Sequence, residues 1–150
     1  MTFGSVDELL DFAIEREEEA AQMYTDLAGK MKKAYMREVF ESFAREETGH
    51  KSKLVQIKSG KLLVPAAKKV MNLKIADYVT DVAPSADLDY QDALILAMKK
   101  EKVAFRLYTD LAEATDDDAL RTTLLDLAQE EARHKLRFEI EYDEQFLSEN

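Results

Sequence analysis

The sequence predicts an all-α fold: a four-helix bundle made of two helix hairpins, related by a pseudo-twofold axis and joined by a long crossover. Three observations carry this expectation. Only four Gly and two Pro occur among 150 residues, so little interrupts helical runs rich in Ala, Leu, Glu and Lys. Apolar residues recur at spacings of three and four along four stretches, each the buried stripe of an amphipathic helix. The string Tyr24-Thr25-Asp26-Leu27-Ala28 returns as Tyr108-Thr109-Asp110-Leu111-Ala112, an offset of 84, which marks a duplicated unit. With 46% apolar residues, a chain of this length is expected to form a single domain, 1–150, with a real core.

The first hairpin is expected over about residues 5–60. Ser5-Val6-Asp7-Glu8 is a capping box, in which the Ser hydroxyl accepts from a backbone N–H three residues on and the Glu reaches back. Leu10, Ala13, Ile14, Ala20, Ala21, Tyr24, Leu27, Ala28 and Met31 then line one face. Glu17 sits in the middle of that stripe, while Glu15, Glu18 and Glu19 project toward solvent. The pattern loosens over Gly29-Lys30-Met31-Lys32-Lys33, whose cations suit the negative end of a helix dipole. A second helix from about Ala34 turns Met36, Val39, Phe40, Phe43, Leu54 and Ile57 inward, with Glu47 and His50 between Phe43 and Leu54. Ser59-Gly60 supplies a left-handed stop.

Residues 61–85 contain both prolines and no single long helical stripe, yet Leu62, Val64, Val70, Ile75 and Val79 need cover. They are expected to form a crossover packed on the bundle, with one or two short helical turns. A helix of about 25 residues spans ~38 Å, a distance this segment can bridge. The second and third helices then run parallel, the connectivity of ferritin-like bundles.

The second hairpin is expected over about 86–147. Ser85 to Asp89 offers several N-caps for a third helix that buries Leu94, Ala97, Met98, Ala104, Phe105, Tyr108, Leu111 and Ala112, with Glu101 in the stripe. Thr115-Asp116-Asp117-Asp118 forms a turn whose Asp side chains cap a fourth helix. That helix turns Leu120, Leu124, Leu127, Ala128, Phe138 and Tyr142 inward beside Glu131 and His134, and frays near Ser148.

Composition excludes several functions. A formal charge of −10 without a compensating Lys/Arg cluster disfavours nucleic acid and anionic membranes as partners. No apolar run reaches the ~18 residues of a spanning helix, and Met1-Thr2-Phe3-Gly4 opens no signal peptide, so a cytoplasmic protein is expected. The absence of cysteine rules out thiol catalysis, disulfides and any rubredoxin or iron–sulfur module within these residues.

The offset of 84 also carries Glu17 onto Glu101, Glu47 onto Glu131 and His50 onto His134, the only two histidines. Each His closes a Glu-x-x-His, which sets both side chains on one helical face. Residues equidistant from a hairpin turn lie at one height. The midpoint of Glu17 and Glu47 is position 32, and that of Glu101 and Glu131 is 116, both in the turns. The four carboxylates therefore converge mid-bundle. Buried without partners, each would cost several kcal/mol, whereas two divalent cations balance their charge. One imidazole per hard-oxygen set suits iron or manganese, and zinc can bind as well. Tyr24 and Tyr108 lie two turns along the same face, where a phenol either hydrogen-bonds a ligand carboxylate or packs in the core with its hydroxyl satisfied locally. Glu46 and Glu130 are matched too, and read as a solvated flank.

At these residues the chain resembles the rubrerythrin branch of the ferritin-like di-iron carboxylate proteins, from about residue 5 to about 147. The resemblance implies two iron ions bridged by Glu47 and Glu131, with Glu17 and Glu101 as terminal ligands and one His on each iron. It implies that Tyr24 and Tyr108 hydrogen-bond the ligand carboxylates. Two departures stand out. The family's further carboxylate, three residues after the third-helix Glu, is Ala104 here, and the Cys-rich rubredoxin domain that delivers electrons is absent from this sequence.

The expected activity is an oxidoreductase that reduces hydrogen peroxide or dioxygen with electrons from an external donor protein. Iron handling as a ferroxidase and a metal-responsive binding module are the alternatives. A homodimer is expected.

Overall fold

A computed structural model describes residues 5–60 and 89–147. Four helices account for nearly all of them: α1 (Val6–Lys30), α2 (Ala34–Gly60), α3 (Tyr90–Glu113) and α4 (Asp118–Tyr142). A five-residue π-helical turn, Asp143–Leu147, continues α4. The described residues are all-α, and the expected crossover, 61–85, lies outside them.

Capping chemistry sets the helix starts. Ser5 Oγ accepts from the Glu8 N–H at 3.0 Å, Asp89 from the Asp92 N–H at 2.9 Å, and Asp117 from the Leu120 N–H at 2.8 Å. Each satisfies one of the four backbone donors that a helix start leaves without an intrahelical partner. At the far end of α1, Met31 is extended at φ −82° and ψ 136°, and Gly29 remains inside the helix. The loosened stretch therefore becomes a turn only after Lys30. α2 runs through Gly60, and the residues that would show a left-handed stop lie outside the described chain.

Side-chain pairs give the topology. Lys58 bonds Asp11 and Lys51 lies 2.5 Å from Glu18, so α1 and α2 are antiparallel. Tyr90 and Gln91 reach Glu141 and Tyr142, so α3 and α4 are antiparallel. Tyr24 meets Glu101 while Tyr108 meets Glu17, which sets α1 against α3 in opposite directions. Hence α2 and α3 run parallel, and the hairpins are related by a pseudo-twofold axis.

The core divides into two apolar ends. One gathers Leu9, Leu10, Ala13, Leu54, Ile57, Leu111 and Leu124. The other holds Met23, Leu27, Phe40, Phe43, Leu94 and Phe138 with Tyr24. Tyr24, Phe40, Phe43 and Phe138 pack with ring centroids 4.4 to 6.1 Å apart. Burying each large side chain contributes about 1.5–3 kcal/mol, and these two ends clamp the polar middle. Leu9, Met23, Leu96 and Leu107 extend the expected stripes. Phe105 departs from expectation: it lies at the border of the α3 stripe and is 41% exposed. Among the described residues no helix is long and apolar enough to cross a membrane.

Candidate metal centre

Between the two apolar ends lie six ionisable side chains. Glu17 projects from α1, Glu47 and His50 from α2, Glu101 from α3, and Glu131 and His134 from α4. All are buried, none more than 6% exposed. The structure brings all six predicted residues together. They form two overlapping sets, Glu17, Glu47, His50 and Glu131, and Glu47, Glu101, Glu131 and His134. Within each set the candidate ligand atoms lie within 4.8 Å of one another. Glu47 and Glu131 belong to both sets, one carboxylate from each hairpin.

Both imidazoles present Nδ1 to the carboxylates. His50 Nδ1 is 3.8 Å from Glu17 and Glu47 and 2.5 Å from Glu131, the last without hydrogen-bond geometry. His134 Nδ1 is 3.1 Å from Glu47 and 3.5 Å from Glu101. The rings lie nearly parallel, 7° apart in plane, with centroids at 5.9 Å.

The outer nitrogens are held by residues that sequence reasoning placed in solvent. His50 Nε2 is 2.5 Å from Glu130, and His134 Nε2 is 3.0 Å from Glu46. Both glutamates are partly exposed but grip the opposite hairpin's histidine, which corrects the reading of a solvated flank. The signal was available: they are repeat mates, each one turn before a His. Since α2 and α4 are antiparallel, the residue one turn before one His lies level with the other.

The tyrosines cross the bundle in the same manner. Tyr24 Oη donates to Glu101 at 2.6 Å, and Tyr108 Oη donates to Glu17. Each phenol thus reaches a carboxylate of the other hairpin, and both tyrosines are fully buried. Burial, together with the glutamates they face, pushes both phenols well above their ordinary range, so they stay protonated donors.

Concentrated carboxylates repel one another in a dry site. Burial, then the Glu47 charge, drives Glu17 well above the ordinary carboxyl range. Burial, then Glu101 and Glu47, does the same to Glu131. Burial, then Glu101, moves Glu47 to about 8. Burial also works to raise Glu101, but the neighbouring Glu131 and His134 and the hydrogen bond from Tyr24 outweigh it and leave that carboxyl lowered. Burial works to lower His134, yet Glu101 foremost, with Glu46 and Glu130, raises it. Protons thus stand in the metal-free chain where cations would otherwise neutralise charge.

The donor set fits two metal ions. Glu17 Oε2, Glu101 Oε2, both Glu131 oxygens and His50 Nδ1 are buried without a hydrogen-bond partner, an arrangement that native interiors otherwise avoid. Buried donor atoms left without hydrogen-bond partners are expected of ligands. Carboxylate oxygens with one imidazole per set suit hard or borderline divalent ions.

A family model described as Rubrerythrin matches residues 8–142. The chain belongs to the rubrerythrin family. Solved structures with the same fold as this chain include a Thermotoga maritima protein described as ferritin-like and diiron-carboxylate. It is 19% identical, with a TM-score of 0.77 over 96% of this chain and 98% of that one. A hypothetical protein from Pyrococcus furiosus is 26% identical, with a TM-score of 0.73 over 93% of this chain and 89% of the other. The Thermotoga maritima structure supports a ferritin-like four-helix bundle for this chain. No protein with a curated description matches it.

Proposed function

We propose that this protein is a di-iron oxidoreductase that reduces hydrogen peroxide or dioxygen with electrons from a separate donor protein. The observation that carries this reading is the pair of buried four-ligand sets sharing Glu47 and Glu131. Glu47 and Glu131 would hold both cations, which would place two metal ions within reach of one small oxidant. Glu17 with His50, and Glu101 with His134, would complete the two coordination sets. When bound, two adjacent ferrous ions supply two electrons together, which avoids a one-electron product.

The remaining tasks fall to the protein. Glu130 and Glu46 orient the imidazoles so that Nδ1 faces inward. Tyr108 and Tyr24 hold Glu17 and Glu101 in place and keep a phenolic proton at each terminal carboxylate. The two apolar ends exclude bulk water along the bundle axis. Because no cysteine is available to carry electrons, a donor outside this sequence must return the centre to its reduced state.

Anaerobic loading with ferrous iron, followed by rapid mixing with peroxide, tests the proposal. Two irons per chain should oxidise faster than free ferrous ion under the same conditions. Oxidation at the rate of free ferrous ion would overturn it.

A further inference from the structure

Between α1 and α3 a cavity of about 200 Å³ reaches down to the metal centre, with Glu17, Glu47, Glu101 and Glu131 at its floor. Its walls include Ala20, Ala104 and Leu107. Ala20 and Ala104 are repeat mates, so both helices present a methyl group where a longer side chain would fill the space. At ~30 Å³ per water the cavity has room for about six, far more than the two heavy atoms of peroxide or dioxygen occupy. An apolar cavity of ~150 Å³ suffices for benzene. This one takes a ring with a small substituent.

The rim supplies a second, independent observation. Arg16 and Lys100, also repeat mates, stand there with Glu19. One Arg16 nitrogen bonds Glu19 at 2.6 Å, but Arg16 Nε is buried with no hydrogen-bond partner. Lys100 is half-buried beside it. Arg16 also lies 3.6 Å from Glu15, so its Nε and the Lys100 amine are the donors left for an anion, and a carboxylate is one of the groups that Arg and Lys bind.

We propose that this cavity binds a small aromatic monocarboxylate, its carboxylate held by Arg16 and Lys100 and its apolar body lodged between Ala20 and Ala104, facing the metal centre. The inference rests on the metal-centre reading for what the apolar body faces. The site is a slot with a charged mouth, an apolar middle and a ligand-lined floor.

Benzoate is the probe, titrated calorimetrically into protein loaded with zinc, which fills the centre without redox chemistry. Saturable binding is expected, with neutral benzamide weaker by about tenfold or more, as loss of a charge-assisted hydrogen bond implies. Lys100→Gln and Arg16→Gln should each weaken benzoate by about tenfold. Ala104→Leu should abolish binding by filling the slot, and the rim variants serve if that chain does not fold. Benzoate that binds the rim variants as tightly as the parent sits on the metal ions instead and overturns the proposal. Absence of saturation in protein carrying two zinc ions overturns it as well. Failure to take up zinc at all strikes the metal-centre reading, so the two failures are distinct.

Discussion

Glu130 and Glu46 show how a partly exposed residue governs a buried one. Each places a carboxylate on the Nε2 of the other hairpin's histidine, which fixes the tautomer, turns Nδ1 inward and makes the ring a stronger donor to a cation. Removing that support by Glu130→Ala should weaken metal binding about 10–100-fold, as loss of an outer partner usually does. Glu130→Gln keeps a hydrogen-bond acceptor without the charge and should fall between. Competition against a chelator of known affinity measures both, and an unchanged affinity in the Ala variant would reduce Glu130 to a surface neighbour. The phenols act on a second pair of side chains, the Glu101 and Glu17 carboxylates. In Tyr24→Phe, Glu101 loses its donor, and in Tyr108→Phe, Glu17 loses its own. Each should cost the metal-free protein about 1–3 kcal/mol, the penalty for a buried polar group left unsatisfied. Urea unfolding reads the loss directly. The six central residues were legible because duplication repeated them at one offset. Glu46 and Glu130 carried the same signature, but charge on a helix flank is ordinarily solvated, and only the antiparallel crossing of α2 and α4 reveals what they touch.

At the scale of the helix, local chemistry decides the boundaries and leaves room for improvement. Asp117 caps α4 by accepting from the Leu120 N–H at 2.8 Å. Asp117→Ala should cost ~1 kcal/mol. For a chain of this size that is a fall of about 2–4 °C in Tm, seen in a thermal melt followed by circular dichroism. Gly29 gives the opposite sign. It is exposed, it lies inside α1, and a Cβ added there meets nothing within 4 Å. Gly29→Ala should therefore stabilise the helix by about 0.5–1 kcal/mol, because Ala gives up less backbone freedom on folding. A lower Tm in this variant would show that the glycine serves the turn rather than the helix. Helix starts were readable because a cap is a property of four adjacent residues. The inward set of α3 was less so: the buried face is broad, and Phe105 sits at its border beside Lys102 and Leu136, where spacing alone does not say which side wins. The π-helical turn after Tyr142 has no marker in Asp143-Glu144-Gln145-Phe146-Leu147.

For the molecule as a whole, the deciding quantity is the charge enclosed between the two apolar ends, and it links stability, pH and metal. In the metal-free fold Glu17 and Glu131 are raised well above the ordinary carboxyl value of 4.5, and Glu47 is raised to about 8. His134 is raised above its ordinary 6.5. Between about pH 4.5 and about pH 8 the folded chain therefore holds more protons than the unfolded chain, so its stability falls as pH rises through that window. Glu101, lowered, works the other way, but its contribution is lost only at more acid pH. Metal reverses the trend, since cations require the carboxylates ionised and the imidazoles neutral. Without metal, Tm should be higher near pH 5 than near pH 8, whereas saturating manganese should raise Tm by an amount that grows with pH across the same range. Repulsion among surface carboxylates of a chain with net charge −10 would lower stability in the same direction. Added salt separates the two, because it screens exposed charges and leaves buried ones nearly untouched. A metal-free pH dependence that vanishes in high salt, or a manganese-induced shift of equal size at both pH values, would mean that the central carboxylates do not govern the stability of this fold.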